Sequence, residues 1–357
     1  MNCDKPLRWG VLGTGWVAQR FLDDLRSLGH SEAIAVASRS ESRAREVGAR
    51  FGVMRAYGSC GALVQDPEVD VVYVATEHHL HAEHCESALR AGKHVLCEKP
   101  FTVSVQEAER VIEQARERSL FCMEAMWSRF LPAAAAAKRR IDAGEIGDPR
   151  LLTADFGFPV VGSASSRFYN PAKGGGALLD RGVYAISLAV WLFGKPTEVN
   201  ATADVGESGV DETVAATLRF PGGRVAVIAA SLQAYSSNEA VVAGSAGRIR
   251  FSEPFCRPVS FTLKKAVPMD ADALSAVQPS TARERAKQLL SRVKRYVPSG
   301  ISRFAAMRFP VAGYGYGYEA AEVVRCIREG LNESPVMPLG ETLTVMDTIE
   351  RIRRQLQ

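Results

Sequence analysis

The chain has 357 residues, 46% apolar and 24% charged, the balance of a water-soluble globular protein long enough for two domains. Its 44 Lys and Arg against 40 Asp and Glu leave a net charge of +4, too little for a general nucleic-acid binder. No apolar run of about 18 residues marks a membrane span, and the opening "MNCDKPLRWGVLG" lacks the long apolar segment of an export signal.

From residue 8 to 123, short apolar runs alternate with stretches of helical period. Strands are expected at Arg8–Leu12, Ala33–Ser38, Val69–Val74, His94–Cys97 and Leu120–Met123, and helices at Trp16–Leu28, Glu41–Phe51, His79–Ala91 and Ser104–Arg118. Strands that are apolar throughout and separated by helices predict a parallel, doubly wound sheet, an α/β Rossmann domain over residues 1–124.

The first strand runs into "GTGWVA", so Gly13, Thr14, Gly15, Trp16 and Val17 form a candidate phosphate turn. Gly13 permits the tight turn, Gly15 lets backbone approach a pyrophosphate, and Ala18 allows close helix–strand packing. The second strand ends in "AVASRSESR", with Ser38, Arg39 and Arg43 and no carboxylate before Glu41. A hydroxyl and guanidinium groups receive a 2′-phosphate that a carboxylate would repel, so NADP(H) is favoured over NAD(H).

The segment "EHHLHAEH" gathers His78, His79, His81 and His84. It lies beside the expected cofactor and lacks further ligands at metal spacing, so no metal site is assigned. In "HVLCEKPF", Glu98, Lys99 and Pro100 close a strand at the sheet's carboxyl edge, where a partly desolvated lysine suits a functional role. Seven scattered cysteines without a C-x-x-C pair read as free thiols in a reducing cytoplasm.

After the helical "PAAAAAKRRIDAGEIG" the pattern changes. Strands now follow one another at Leu151–Phe158, Glu198–Val205, Thr213–Phe220, Arg224–Ser231, Ala240–Ala243 and Arg248–Phe251. Turn-like links such as "PGG" at 221–223 and "GSAG" at 244–247 predict antiparallel neighbours. Closing helices near Tyr318–Glu329 and Glu341–Gln355 complete residues 125–357 as an α+β domain for substrate and dimerisation, with a large, mostly antiparallel sheet. Residues 262–312 read as a basic insertion: between Lys264 and Arg308, ten Lys and Arg stand against three Asp and Glu. Its "STARERAKQLLSRVKRYV" has the stripe of a surface helix, and a lid, a subunit contact or an anion-binding surface also fits.

All six histidines precede residue 95, so proton chemistry in the second domain needs another group. "GGGALLDRGVY" (174–184) offers Tyr184, with Asp180 one helical turn earlier on the same face. The glycines at 174–176 are expected to bring backbone close to substrate. Trp127 and Phe158 are candidate walls, and Arg167 a candidate contact to substrate or cofactor.

Together "GTGWVA", "EKP", "MWSRFLP" (126–132), "RFYNPAKGGGALLDRGVY" (167–184), "GVDETVAATLRFPGG" (209–223) and "ESPVMPLGETLTVMDTIERIRRQ" (333–355) resemble the Gfo/Idh/MocA oxidoreductase family. The likeness covers nearly the whole chain outside 262–312 and is strongest to the dihydrodiol dehydrogenase and NADP-dependent D-xylose dehydrogenase branch. It implies that Lys99 lies by the nicotinamide and the reacting carbon. It also implies that Asp180-Arg181-Gly182-Val183-Tyr184 matches the family's D-x-G-x-H motif, with tyrosine as the acid/base where many members have histidine. Thr76, His78, His81 and Glu98 are implied cofactor-side contacts, although Glu77-His78 stands where proline and asparagine are common.

Moving a hydride from a carbinol carbon requires a base at the hydroxyl. Tyrosine ordinarily titrates near 10, and an ammonium such as Lys99 within about 4–6 Å is expected to lower it by roughly 1–3. The expected protein is an NADP(H)-dependent oxidoreductase of a small sugar, polyol or diol, homodimeric through an uncovered sheet face, with no nucleic-acid or membrane partner. A nucleotide-sugar 3-ketoreductase, whose substrate phosphates would explain the basic insertion, and a non-catalytic NADP-binding regulator are the alternatives.

Overall fold

Apolar runs with no polar face pair only where both faces are covered, and the first third of the chain does this. The structure, a computed structural model, describes residues 5–162, 166–266 and 306–356. In order come β1 (Leu7–Leu12), α1 (Trp16–Leu25), β2 (Ser31–Ala37), α2 (Glu41–Phe51), β3 (Arg55–Tyr57), α3 (Cys60–Val64), β4 (Val71–Val74), α4 (His81–Arg90), β5 (His94–Glu98), α5 (Val105–Glu117) and β6 (Cys122–Ala125). The six strands form one parallel sheet in the order β3-β2-β1-β4-β5-β6. The order reverses between β1 and β4, the place where ligands of open α/β sheets bind.

Sequence periodicity misses β3 and α3. A strand of three residues shows no alternation, and α3 depends on a cap in which Ser59 Oγ accepts from Ala62 N at 3.1 Å. The histidine stretch also starts later than expected: His78–Leu80 is a 3₁₀ turn, and α4 begins at His81.

The second sheet follows α6 (Pro132–Asp142) and comprises β7 (Pro149–Gly157), β8 (Glu198–Val205), β9 (Asp211–Phe220), β10 (Arg224–Ser231), β11 (Ala240–Gly244), β12 (Gly247–Phe251), β13 (Ser260–Lys265) and β14 (Met307–Arg308). Its order is β14-β13-β12-β11-β7-β10-β9-β8. Every pair is antiparallel except β7 with β10, which run parallel from Leu151↔Val225 to Gly157↔Ser231. The ends of the expected insertion belong to this sheet, since Phe261 and Ser260 pair with Met307 and Arg308. The expected basic helix lies outside the described residues.

Helix α7 (Val183–Phe193) packs under the sheet and, with α9 (Leu339–Arg353), forms the core of this layer. The stretch Pro171–Phe193 is long and apolar enough to cross a membrane by composition alone, yet 83% of its window is buried inside the protein, as in a core helix.

The chain end returns to the first layer. Helix α8 (Tyr316–Arg328) has no side-chain cap of its own. Asp24, on α1, accepts from the backbone amides of Tyr314, Gly315, Tyr316 and Gly317 at 2.8, 2.8, 2.8 and 3.3 Å. This carboxylate satisfies the orphan amides at the start of α8 and complements its dipole. Gly313 sits at φ +56° with no room for a Cβ against Asp24, so the run "GYGYGY" allows the close approach. Asp24→Ala leaves the four amides unpaired and should lower stability by about 2–4 kcal/mol in urea unfolding. A loss under about 0.5 kcal/mol, the range of ordinary surface substitutions, would overturn this account.

Glu124 on β6 is fully buried and accepts from Phe101 N at 3.2 Å. Burial pushes its carboxyl up to about 7 from 4.5, with the charge of Arg129 opposing the shift. As pH rises between those values the unfolded chain gives up the proton and the folded chain keeps it, so stability falls across that window. Glu124→Gln should therefore match the parent at pH 4.5 and exceed it by up to about 3 kcal/mol at pH 8. A difference that does not vary with pH in urea titrations would refute the assignment.

Candidate active site

The turn after β1 could hold an anion. Gly13 lies at φ +108°, and a Cβ there would stand 2.3 Å from the carbonyl of Ala75. Around Gly15 the opposite holds, because a Cβ would meet nothing within 4 Å. Helix α1 then begins without a side-chain cap, so its first amides and partial positive charge are available to phosphate. Ala18 is buried, Val17 half-buried and Trp16 64% exposed, with the Arg20 guanidinium over the Trp16 ring. Thr14 and Ser38 hydroxyls face each other at 3.5 Å, joining this turn to the end of β2. Beyond it the Arg39 side chain is 87% exposed, while Arg43 pairs with Glu46 at 2.7 Å. Unpaired amides and a cleared approach at Gly15 fit the pyrophosphate of a nicotinamide dinucleotide.

The loop after β5 meets the entrance of α7. Lys99 Nζ donates to the backbone oxygen of Asp180 at 2.8 Å, lies 3.7 Å from its carboxylate and stands 4.7 Å above the centre of the Tyr184 ring. Residues Leu178–Gly182 form one π-helical turn, a widening that is common at functional sites, and Asp180 within it faces Lys99 with its backbone oxygen and Oδ1. Arg167 donates to the Asp180 carboxylate at 3.1 Å. Burial opposes ionisation of Asp180, but Lys99 and Arg167 outweigh it and hold the carboxyl below its usual range.

Tyr184 accepts from Trp127 Nε1 at 3.0 Å, which leaves its own O–H free to donate to another acceptor. The expectation that Lys99 lowers this phenol is overturned. The ammonium lies over the ring face, and burial drives the phenol well above its usual value, reinforced by Cys256, Tyr316 and Glu98. Tyr184 is therefore a protonated acid at neutral pH. Glu98 beside it accepts from the Tyr73 hydroxyl and from Lys99 N, and burial raises its carboxyl to about 7.

The ring nitrogens of His78 and His81 are engaged by protein groups. His78 Nδ1 donates to the Gly174 carbonyl at 3.0 Å, which leaves Nε2 to accept from Arg167 at 3.4 Å, and burial lowers the imidazole to about 3. His81 lies between the carbonyls of Pro100 (2.9 Å) and Thr76 (3.2 Å), while the Thr76 hydroxyl bonds His84 at 3.0 Å. Among the described residues no group of three His, Cys, Asp or Glu is gathered for a metal ion.

The glycine run serves packing rather than substrate approach. A Cβ at Gly174 would meet Val103 at 2.7 Å, at Gly175 the carbonyls of Arg167, Phe168 and Asn170 within 2.9 Å, and at Gly176 the Asp211 carboxylate at 2.3 Å. Asp211 accepts from Leu178 N at 2.6 Å and so caps the helix entrance. Phe158 is 41% exposed above the buried guanidinium of Arg181, which donates to the Phe158 carbonyl at 2.6 Å.

Tyr316 and Asp24 escape sequence reading. Tyr316 stacks on Trp127 at 4.9 Å and 7°, and Asp24 in the last turn of α1 accepts from its backbone amide at 2.8 Å. A run alternating glycine with tyrosine at 313–318 is the signal that backbone there approaches something closely.

Residues 7–126 match the family described as "Oxidoreductase family, NAD-binding Rossmann fold", and residues 134–250 match the GFO/IDH/MocA C-terminal domain. Trans-1,2-dihydrobenzene-1,2-diol dehydrogenase of Bos taurus is 34% identical over 98% of this chain and 97% of its own length. The structure of KijD10, a 3-ketoreductase from Actinomadura kijaniata in complex with NADP and TDP-benzene, is 27% identical with a TM-score of 0.79, covering 99% and 98% of the two chains. An aldose-aldose oxidoreductase from Caulobacter crescentus shares the fold, at 24% identity, 98% and 97% coverage and a TM-score of 0.78. With the Gly13 turn and Lys99 on the parallel-sheet layer and Asp180 and Tyr184 meeting that lysine from the second layer, the chain belongs to the Gfo/Idh/MocA family and is an NAD(P)-dependent oxidoreductase.

Proposed function

We propose that the chain transfers a hydride between NADP(H) and a carbonyl or alcohol carbon of a sugar, polyol or diol, in the cytoplasm and as a homodimer. The observation that carries this reading is the meeting of Lys99, Asp180 and Tyr184 at one point of the cleft. A bound nicotinamide supplies the hydride acceptor or donor. Thr14, the first amides of α1, Ser38, Arg39 and Arg43 hold the phosphates.

In reduction, the Tyr184 O–H gives its proton to the substrate oxygen as negative charge grows there, and oxidation is the reverse of this transfer, run by the minor phenolate form. Lys99 stabilises the charged oxygen, and its bond to the Asp180 carbonyl fixes its direction. The ionised Asp180 and Arg167 bind neighbouring hydroxyls, while Trp127 and Phe158 flank the C–H faces. Leu151 and Val227, exposed on the outer face of the second sheet, support pairing of two copies there.

A nucleotide-sugar 3-ketoreductase is the second reading, favoured by the likeness to KijD10. Turnover with NADP+ against aldoses and diols, and with NADPH against ketosugars and nucleotide-linked ketosugars, separates the two, since activity confined to nucleotide sugars selects the second.

Tyr184→Phe should lower kcat by about 10²–10⁴ with unchanged NADPH affinity. Full activity of that variant on the true substrate would remove the phenol from the mechanism. Arg39→Asp should weaken NADPH about tenfold or more and leave NADH within twofold. Equal loss for both cofactors would show that the 2′-phosphate is read elsewhere.

A further inference from the structure

One carboxylate stands between the two sides of the cleft. Glu77 follows β4, and its oxygens face cations from different parts of the chain: Lys173 Nζ at 2.8 Å and Arg39 Nη2 at 3.9 Å. Lys173 ends the short turn Pro171–Lys173, and Gly174 immediately beyond it accepts from His78. Residues 77 and 78 thus grip consecutive positions of the loop that carries Arg167 at one end and leads to Asp180 at the other. Hydrogen bonding to Lys173, against the cost of burial, keeps the Glu77 carboxyl below its usual range.

We propose that Glu77 and Lys173 couple the phosphate of the cofactor to the seating of the 167–174 loop, an inference that rests on the NADP reading above. Because Arg39 Nη2 is only 3.9 Å from Glu77, a 2′-phosphate held by Arg39 would come within about one screening length of that carboxylate and be repelled by it. When Lys173 sits on Glu77, that charge is neutralised and the repulsion falls. Phosphate binding and loop seating therefore favour each other, and the coupling is reciprocal. A dinucleotide without the phosphate gains nothing from the seated loop. Glu77 is on this account a specificity-determining residue, and Lys173 is a positioning residue that acts through it.

A double-mutant cycle reads the coupling from binding alone. NADPH and NADH dissociation constants are measured by fluorescence for the parent, Glu77→Gln, Lys173→Met and the double variant. The expected result is that Lys173→Met weakens NADPH about 3–10-fold and leaves NADH unchanged, which also reports an intact fold. On the Glu77→Gln background the same change should cost less than about twofold. An equal loss for NADH, or a loss independent of residue 77, overturns the coupling while a persisting NADPH preference leaves the cofactor reading intact. A parent protein that binds NADH as tightly as NADPH overturns both.

Discussion

A buried carboxylate that stays ionised sets the order of this cleft. Desolvation works against the Asp180 charge, and the ammonium of Lys99 with the guanidinium groups of Arg167 and Arg181 sustains it. The dependence runs both ways, because each cation would be costly so close to the core without that partner. His78 completes the arrangement by staying neutral and accepting from Arg167, so the guanidinium is aimed from two sides. Lys99, Arg167 and Arg181 place three cations around this one carboxylate, an arrangement that on the proposed mechanism suits an oxygen that becomes negative during reaction.

The proton and the charge are divided between neighbouring residues. Lys99 supplies charge, and Tyr184 holds a proton that burial prevents it from losing to water. A tyrosine inside an aromatic shell of Trp127 and Phe156 is a poor base at rest, which on the proposed mechanism favours its use as an acid. Glu98 and Glu124, both raised by burial, extend the same low-dielectric region under the lysine loop.

Much of this was legible in the chain because the signals were local. The alternation of apolar strands with helices, the Gly13 turn, the lysine at the end of β5 and the tyrosine four residues after Asp180 each lie within a short window. What escaped depends on distant partners. The upward shift of Tyr184 comes from burial, which no spacing reveals. The glycines at 174–176 look like a flexible approach to substrate and instead fit against Val103, three carbonyls and Asp211. His78 looks like a cofactor contact, and its imidazole is committed to Gly174 and Arg167. The parallel pairing of β7 with β10 follows from a long crossover through α7 and two strands, so turn chemistry gives no hint of it.

The grip of Asp24 on the amides before α8 has a consequence in time. Lys99 and Tyr184 both leave the ribosome well before residues 313–317, whereas Trp127 stacks on a tyrosine within that late segment. A nascent chain therefore contains its reactive lysine and phenol while the indole that orients the phenol still lacks its stacking partner. Assembly of a competent cleft waits on the far end of the polypeptide, and chains cut short before that segment carry the chemical groups without the alignment.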